Sequence, residues 1–131
     1  LLYRLNVRRF VIRRMAREHV YSDSNWLVGD RLAEKLAVTS ASGARHGSVR
    51  FVTGALDRVE SRTAFLDLAR RANVPILVVY GEETPHKSRA EMEALAELPN
   101  VRTERLAKGK LSVHEEMPDA VIETVASFLR E

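Results

Sequence analysis

The sequence predicts an α/β fold. Residues 75–80, PILVVY, are apolar throughout and rich in β-branched side chains, which suits a strand covered on both faces of a parallel sheet. Residues 101–106, VRTERL, read as a second and more polar strand. RAEMEALAEL between them has helical periodicity, so strand, helix and strand have the lengths of a right-handed βαβ crossover. From Pro118 onward, Val121, Ile122, Val125, Phe128 and Leu129 fall on one helical face, a stripe suited to packing on that sheet.

In chain order, the first element is a helix from Tyr3 to His19. Tyr3, Val7, Val11 and Met15 recur at every fourth position with Phe10 beside them, while Arg9, Arg13 and Arg17 form a separate row. The turn YSDSN offers Ser22, Asp23 and Ser24 as caps for a second helix through WLVGDRLAEKLAV. TSASGARHG is a small, polar, glycine-containing loop and divides residues 1–42, a helical pair, from residues 43–131. SVRFVTGAL is read as helical, although Val49, Phe51 and Val52 also suit a short strand. Ser61 is an N-cap for RTAFLDLARRA, which places Phe65, Leu68 and Ala69 on one face and stops at Asn73. Ser88 with Glu91, and Ser112 with Glu115, have the spacing of capping boxes. Leu98-Pro99-Asn100 ends the crossover helix, and Pro118 suits a first helical turn, where its missing N–H costs nothing.

Composition narrows the function classes. With 131 residues and 45% hydrophobic content the chain has the size of one domain and enough apolar material for a core. No apolar run reaches the roughly 18–20 residues of a membrane span, and LLYRLNVRRFVIRR is too broken by arginine for a signal peptide, so no membrane association and a cytoplasmic location are expected. The net charge of +3 is local, since residues 1–20 hold six arginines against one glutamate and the rest carries 15 basic and 17 acidic residues. A solvated arginine face, with no aromatic residues interleaved for base stacking, argues against nucleic acid as a partner. There is no cysteine, and His19, His46, His86 and His114 are too scattered for a local metal motif, so neither a metal nor another cofactor is expected. GARHG lacks the preceding strand and following Lys or Ser of a phosphate-binding loop.

One physical difficulty remains in this inventory. PILVVY calls for neighbours on both edges, yet the sequence offers one convincing partner strand, so the sheet is expected to be incomplete within these residues and completed by a missing N-terminal half of the same protein.

VPILVVYGEETP, followed by a helix, a strand and GKLSVHEEMPDAVIETVASFL, resembles the last third of an α/β-hydrolase-fold protein over roughly residues 60–131. The resemblance implies that residues 43–131 are the C-terminal part of that core and residues 1–42 a helical lid or cap segment. It also implies a serine-type hydrolase acting on a small ester or amide-like substrate, in which serine attacks a carbonyl, histidine moves the proton and an acid orients the imidazole. Gly81, Glu82 and Pro85 match the turn that presents the acid, but Thr84 stands where the family has aspartate. Aligning His114-Glu115-Glu116 with the family's H-E-E places Leu111 where the catalytic histidine belongs. A leucine cannot transfer a proton, and a threonine hydroxyl carries no charge to stabilise an imidazolium. The nucleophile elbow G-x-S-x-G is absent from all 131 residues.

Substitutes for the missing groups are Glu83 as acid and His114 as base, weighed against a solvated loop carboxylate and a histidine packed at the start of the terminal helix. His86 lies in the loop at the expected mouth of the site, and Trp26, with Tyr21, is placed to line a pocket beneath the lid or to pack in the core. Two functions therefore stand from the sequence: a hydrolase with substituted acid and base, or a catalytically inactive member of the fold that binds a small molecule or a protein. Neither an oligomeric state nor a particular substrate follows from these residues.

Overall fold

The computed structural model describes residues 8–130, the side chains of Phe51 and Val52 excepted. They form a mixed α/β structure of seven α-helices, one π-helical turn and a two-stranded parallel sheet. In order these are α1 (Arg9–Met15), a π-helical turn (Ala16–Val20), α2 (Gly29–Ser40), α3 (Ala44–Val52), α4 (Arg62–Arg71), β1 (Ile76–Gly81), α5 (His86–Ala96), β2 (Val101–Leu106), α6 (Val113–Glu116) and α7 (Pro118–Phe128).

The predicted start of the first helix at Tyr3, with Tyr3 and Val7, lies outside the described residues. Within them the buried face is not the predicted one. Ala16 is buried and Ile12 packs beside it, whereas Phe10 and Met15 face solvent. The helix widens at its end into the π turn, closed by a 2.9 Å bond from the Tyr21 N–H to the Ala16 carbonyl five residues earlier. That extra residue per turn delivers Tyr21 into the core with Ala16, Leu27 and Leu32, against which Val20, Trp26 and Leu36 pack.

The second helix starts later than the turn residues suggested. Val28 is its N-cap and makes no side-chain cap bond, and Gly29 adopts φ 54° to turn the chain into it. Neither Ser22 nor Asp23 caps this helix: the Asp23 carboxylate accepts the Asn25 N–H at 2.8 Å within the turn, and the Ser22 and Asp23 backbone N–H groups donate to Glu116 from the other end of the chain. TSASGARHG is likewise not one loop. Helix runs to Ser40 and resumes at Ala44, since the Thr39 and Ser40 hydroxyls bond back to the Leu36 carbonyl and so sit inside a helical turn without competing for its N–H groups. The ambiguous SVRFVTGAL is helical through Val52.

From residue 61 the elements follow the prediction more closely. The Ser61 hydroxyl accepts the Ala64 N–H at 3.1 Å, a conventional N-cap. The helix α4 ends as Asn73 enters the left-handed region at φ 50°, a conformation asparagine tolerates better than most residues. Asn100 then ties that end to the sheet, its side-chain amide donating to the Ala69 and Val74 carbonyls at 3.0 and 3.1 Å. Strands β1 and β2 pair in parallel with Ile76 opposite Val101 and Gly81 opposite Leu106.

Several expectations are corrected here. The apolar strand β1 is not central among the described residues: its one strand neighbour is β2, and Ile76–Val79 are half-buried. The terminal helix starts with Pro118 in its first turn, but Ile122 and Leu129 remain 63% and 75% exposed, and Phe65 and Leu68 of α4 are exposed as well. These faces lack the sheet area their pattern calls for. Ser88 is the third residue of α5, whose N-cap is Pro85, and Glu91 pairs with Arg62 at 3.0 Å instead of closing a box. Ser112 is the N-cap of α6 without a side-chain cap bond, so the Ser112–Glu115 box does not form, because Glu115 is engaged elsewhere. No helix among the described residues is long and apolar enough to cross a membrane.

Candidate functional site

The two loops that leave the C-terminal ends of β1 and β2 are sewn together. In a parallel sheet such loops lie side by side and form the usual place for a site in α/β proteins. The Glu82 N–H donates to the Leu106 carbonyl at 2.9 Å, and the Glu83 N–H to the Gly109 carbonyl at 3.0 Å. The Thr84 hydroxyl donates to the Lys110 carbonyl at 3.2 Å. Gly81 has to be glycine, since a Cβ there would overlap the Gly109 carbonyl, and Gly109 itself sits at φ 104° against Val113 and Met117. Thr84 is therefore only 2% exposed, and its side chain acts as a tie between loops.

The second of these loops, with α6, also holds the N-terminal helical segment. The Ser112 N–H donates to the Val20 carbonyl at 3.1 Å, and the Lys110 ammonium to the Arg17 carbonyl at 2.6 Å, where carbonyls are left over at the end of the first helix. Glu115 accepts the Tyr21 hydroxyl and, at 2.8 Å, the Lys35 ammonium. Glu116 accepts the Ser22 and Asp23 backbone N–H groups at 2.9 and 2.8 Å with its two oxygens. Burial pushes the Glu115 carboxyl up, but the hydrogen bonds from Lys35 and Tyr21 and the Lys35 charge outweigh it, so the group lies below the ordinary glutamate range. Burial, followed by the bond to Glu115 and the negative charges of Glu115 and Glu116, pushes the Tyr21 hydroxyl well above its usual range.

Between the docked segment and the loops lies a cleft of about 350 Å³, lined by Ser22, Asp23, Trp26, Glu83, Lys108 and Glu116 among others. Trp26 stacks on Tyr21 with ring centroids 4.1 Å apart, and the Arg31 guanidinium lies 4.5 Å from the Trp26 ring centre. Trp26 thus packs beside the core and also walls the cleft. Glu83 and Lys108 line the cleft, and the side chain of neither makes a hydrogen bond or ion pair to another described residue.

Two of the residues singled out from the sequence, Glu83 and Trp26, meet in this cleft. The others do not line it. The His114 side chain is 65% exposed with Nε2 4.0 Å from Glu115 Oε1, too far for the 2.6–3.2 Å bond of a working base–acid pair. Leu111 is 41% exposed, and His86 is an exposed first residue of α5. Among the described residues no group of three or more histidine, aspartate or glutamate side chains converges as a metal site. The arrangement offers a carboxylate, an ammonium and an aromatic wall for binding, and no assembled proton relay.

The sequence placed Glu115 in a cap and Glu116 only in the His-Glu-Glu resemblance, and neither was read as the link to the first helices that makes this geometry. Two adjacent carboxylates before Pro118 were the one signal, but their partners, the Tyr21 hydroxyl and Lys35 ammonium for Glu115 and the Ser22 and Asp23 N–H groups for Glu116, lie 80 to 94 residues away in the chain. In comparison with known proteins, no family model matches the chain and no curated protein matches it.

Proposed function

We propose that these residues are the C-terminal part of an α/β-hydrolase-fold protein that keeps a ligand cleft beneath its helical segment and binds a small molecule there without acyl-transfer chemistry. The observation that carries this reading is Thr84. At the acid position of the resemblance stands a buried hydroxyl whose hydrogen bond goes to the Lys110 carbonyl, a structural use that leaves nothing to orient an imidazole. Leu111 at the histidine position supports the same reading, as do the Glu83 carboxylate and the Lys108 ammonium, which give the cleft complementary charges for a small polar or zwitterionic ligand.

A second reading is favoured by one observation. Glu83, one residue before the acid position, lines the cleft and has no side-chain partner among the described residues, as suits a relocated acid in a serine-type hydrolase of a small ester or amide with His114 as base.

On the full-length protein, a fluorophosphonate probe and p-nitrophenyl acetate turnover separate the two. The expected result is no covalent labelling, and a background ester rate unchanged within about twofold in His114→Ala. Labelling together with a loss of about 10²-fold or more in that variant, the size of a general-base contribution, favours the hydrolase instead.

A further inference from the structure

We infer that the cavity at the N-terminal ends of β1 and β2 is a binding site for a small phosphomonoester with an apolar or aromatic body. It lies at the opposite end of the sheet from the cleft and stands independently of the function proposed for that cleft.

The strand register builds the cavity. Ile76 and Val101 are paired at the starts of the two strands, and the Ile76 N–H donates to the Asn100 carbonyl at 2.8 Å, so the turns that enter β1 and β2 run side by side. The end of α4 is held beside them, because Asn73 at φ 50° turns the chain toward β1 and the Asn100 amide donates to the Ala69 and Val74 carbonyls. Phe128, the last residue of α7, supplies a further wall. The cavity measures about 530 Å³, larger than the cleft and within the roughly 300–1,000 Å³ range of small-molecule sites.

Its charge is of one sign. Arg70 and Arg102 line it, and no aspartate or glutamate does. Asp67, on the same helix as Arg70, pairs with that residue through one guanidinium nitrogen, Nη1, and the Arg70 side chain stays more than half exposed. A guanidinium has five N–H donors in a planar fork, so the pair with Asp67 leaves Arg70 able to grip an anion. Two guanidiniums from different elements, a helix and a strand, suit an ion with close to two negative charges and three acceptor oxygens. That describes a phosphomonoester better than a carboxylate.

The remaining lining is largely apolar. Pro75 and Pro99 stand just before the two strands and share the cavity with Val101 and Phe128. Proline has no N–H, and the Val101 N–H is taken by the Leu98 carbonyl at 3.1 Å, so this wall can be covered by an apolar group without stranding a backbone donor. The phenyl ring and the two pyrrolidine rings give the flat faces on which a ring packs. One acceptor is left among them. Asn100 Oδ1 is buried and accepts no hydrogen bond from a described residue, because the amide is oriented by the two bonds its nitrogen makes. The P–OH of a phosphate monoanion, or a hydroxyl beside the phosphate, supplies the donor that such an atom ordinarily finds.

The test is a ¹H–¹⁵N titration of the full-length protein with phenyl phosphate, beside inorganic phosphate and benzyl alcohol. Phenyl phosphate is expected to shift the amides of residues 70–73 and 100–102 saturably, with a dissociation constant on the order of 1 mM for so small a ligand. Inorganic phosphate should act at the same amides about tenfold more weakly, since it lacks the body that the prolines and Phe128 cover, and benzyl alcohol should not saturate. Arg70→Gln and Arg102→Gln should each weaken phenyl phosphate by about tenfold or more, whereas Arg45→Gln, an exposed arginine of α3 outside the cavity, should leave it unchanged. Mapping on the unsubstituted protein keeps the test independent of the folding of any variant. Shifts at Glu83 and Lys108 instead, an equal loss in Arg45→Gln, equal affinity for inorganic phosphate, or no saturable shift up to about 20 mM phenyl phosphate overturns the proposal.

Discussion

Gly81 lies against the Gly109 carbonyl so closely that no side chain fits between them, and this contact brings the loops after β1 and β2 into register. Around it the Glu83 N–H reaches Gly109 and the Thr84 hydroxyl reaches Lys110. Gly81→Ala should therefore part the loops and not merely crowd them, because the obstacle is backbone on both sides. A loss of about 3 kcal/mol is expected in urea unfolding, at the upper end for an added methyl group.

Thr84 offers a sharper contrast. Thr84→Val keeps the shape and loses one hydrogen bond, and about 1 kcal/mol is expected from it. Thr84→Asp puts a buried carboxylate against the Lys110 carbonyl oxygen and should cost about 3 kcal/mol or more. Denaturant melts of the two variants side by side check the ordering; equal losses would mean that the hydroxyl is not the tie.

Glu116 holds the helical segment through two backbone N–H groups, Ser22 and Asp23. Glu116→Ala leaves both donors without their acceptor and should destabilise by about 2 kcal/mol. The local readout is amide exchange, which should accelerate at Ser22 and Asp23 while the Val78 and Tyr80 amides in the sheet stay protected.

Acid should loosen the same junction through Glu115. Its carboxyl lies below the ordinary glutamate value of 4.5, so the folded state binds this proton less readily than the unfolded chain does. The stabilisation is present above that value and is lost as pH falls through the lower folded value. Unfolding free energy measured from pH 6 down to pH 3 should fall less steeply in Glu115→Gln than in the unsubstituted protein.

The alkaline side has the opposite origin. Tyr21 keeps its proton in the folded state beyond the ordinary value of 10.0, first because it is buried and then because Glu115 accepts its hydroxyl. Its contribution is complete below pH 10 and declines as pH rises above it. Tyr21→Phe should remove that decline between pH 10 and 11, as followed by far-UV circular dichroism.

Much of the scaffold was legible because it is local. Ser61 caps α4, Asn73 ends it, Pro118 opens α7, and VRTERL forms β2 at its predicted limits, each from interactions within a few residues. Capping failed as a guide at Ser22, Asp23, Ser88 and Ser112. At Ser112 the Glu115 carboxylate that would complete the box is committed to Tyr21 and Lys35, the helix after Ser22 and Asp23 starts only at Gly29, and Pro85 displaces Ser88 into the helix. Of the candidate site, Glu83 and Trp26 were named from loop position and pocket chemistry and do share a cleft, while His86 and His114 were named from the resemblance or the loop and stay in solvent.

By itself the sequence determined the α/β class and the limits of the two strands that pair in parallel. Hydrophobic periodicity and residue identity carry that information directly. Only the tertiary structure decided that Glu115 and Glu116 join the first helices to the last loop and that Thr84 is a tie. Those outcomes depend on which donors and acceptors far apart in the chain are left unsatisfied by local structure, and that is settled when the segments pack.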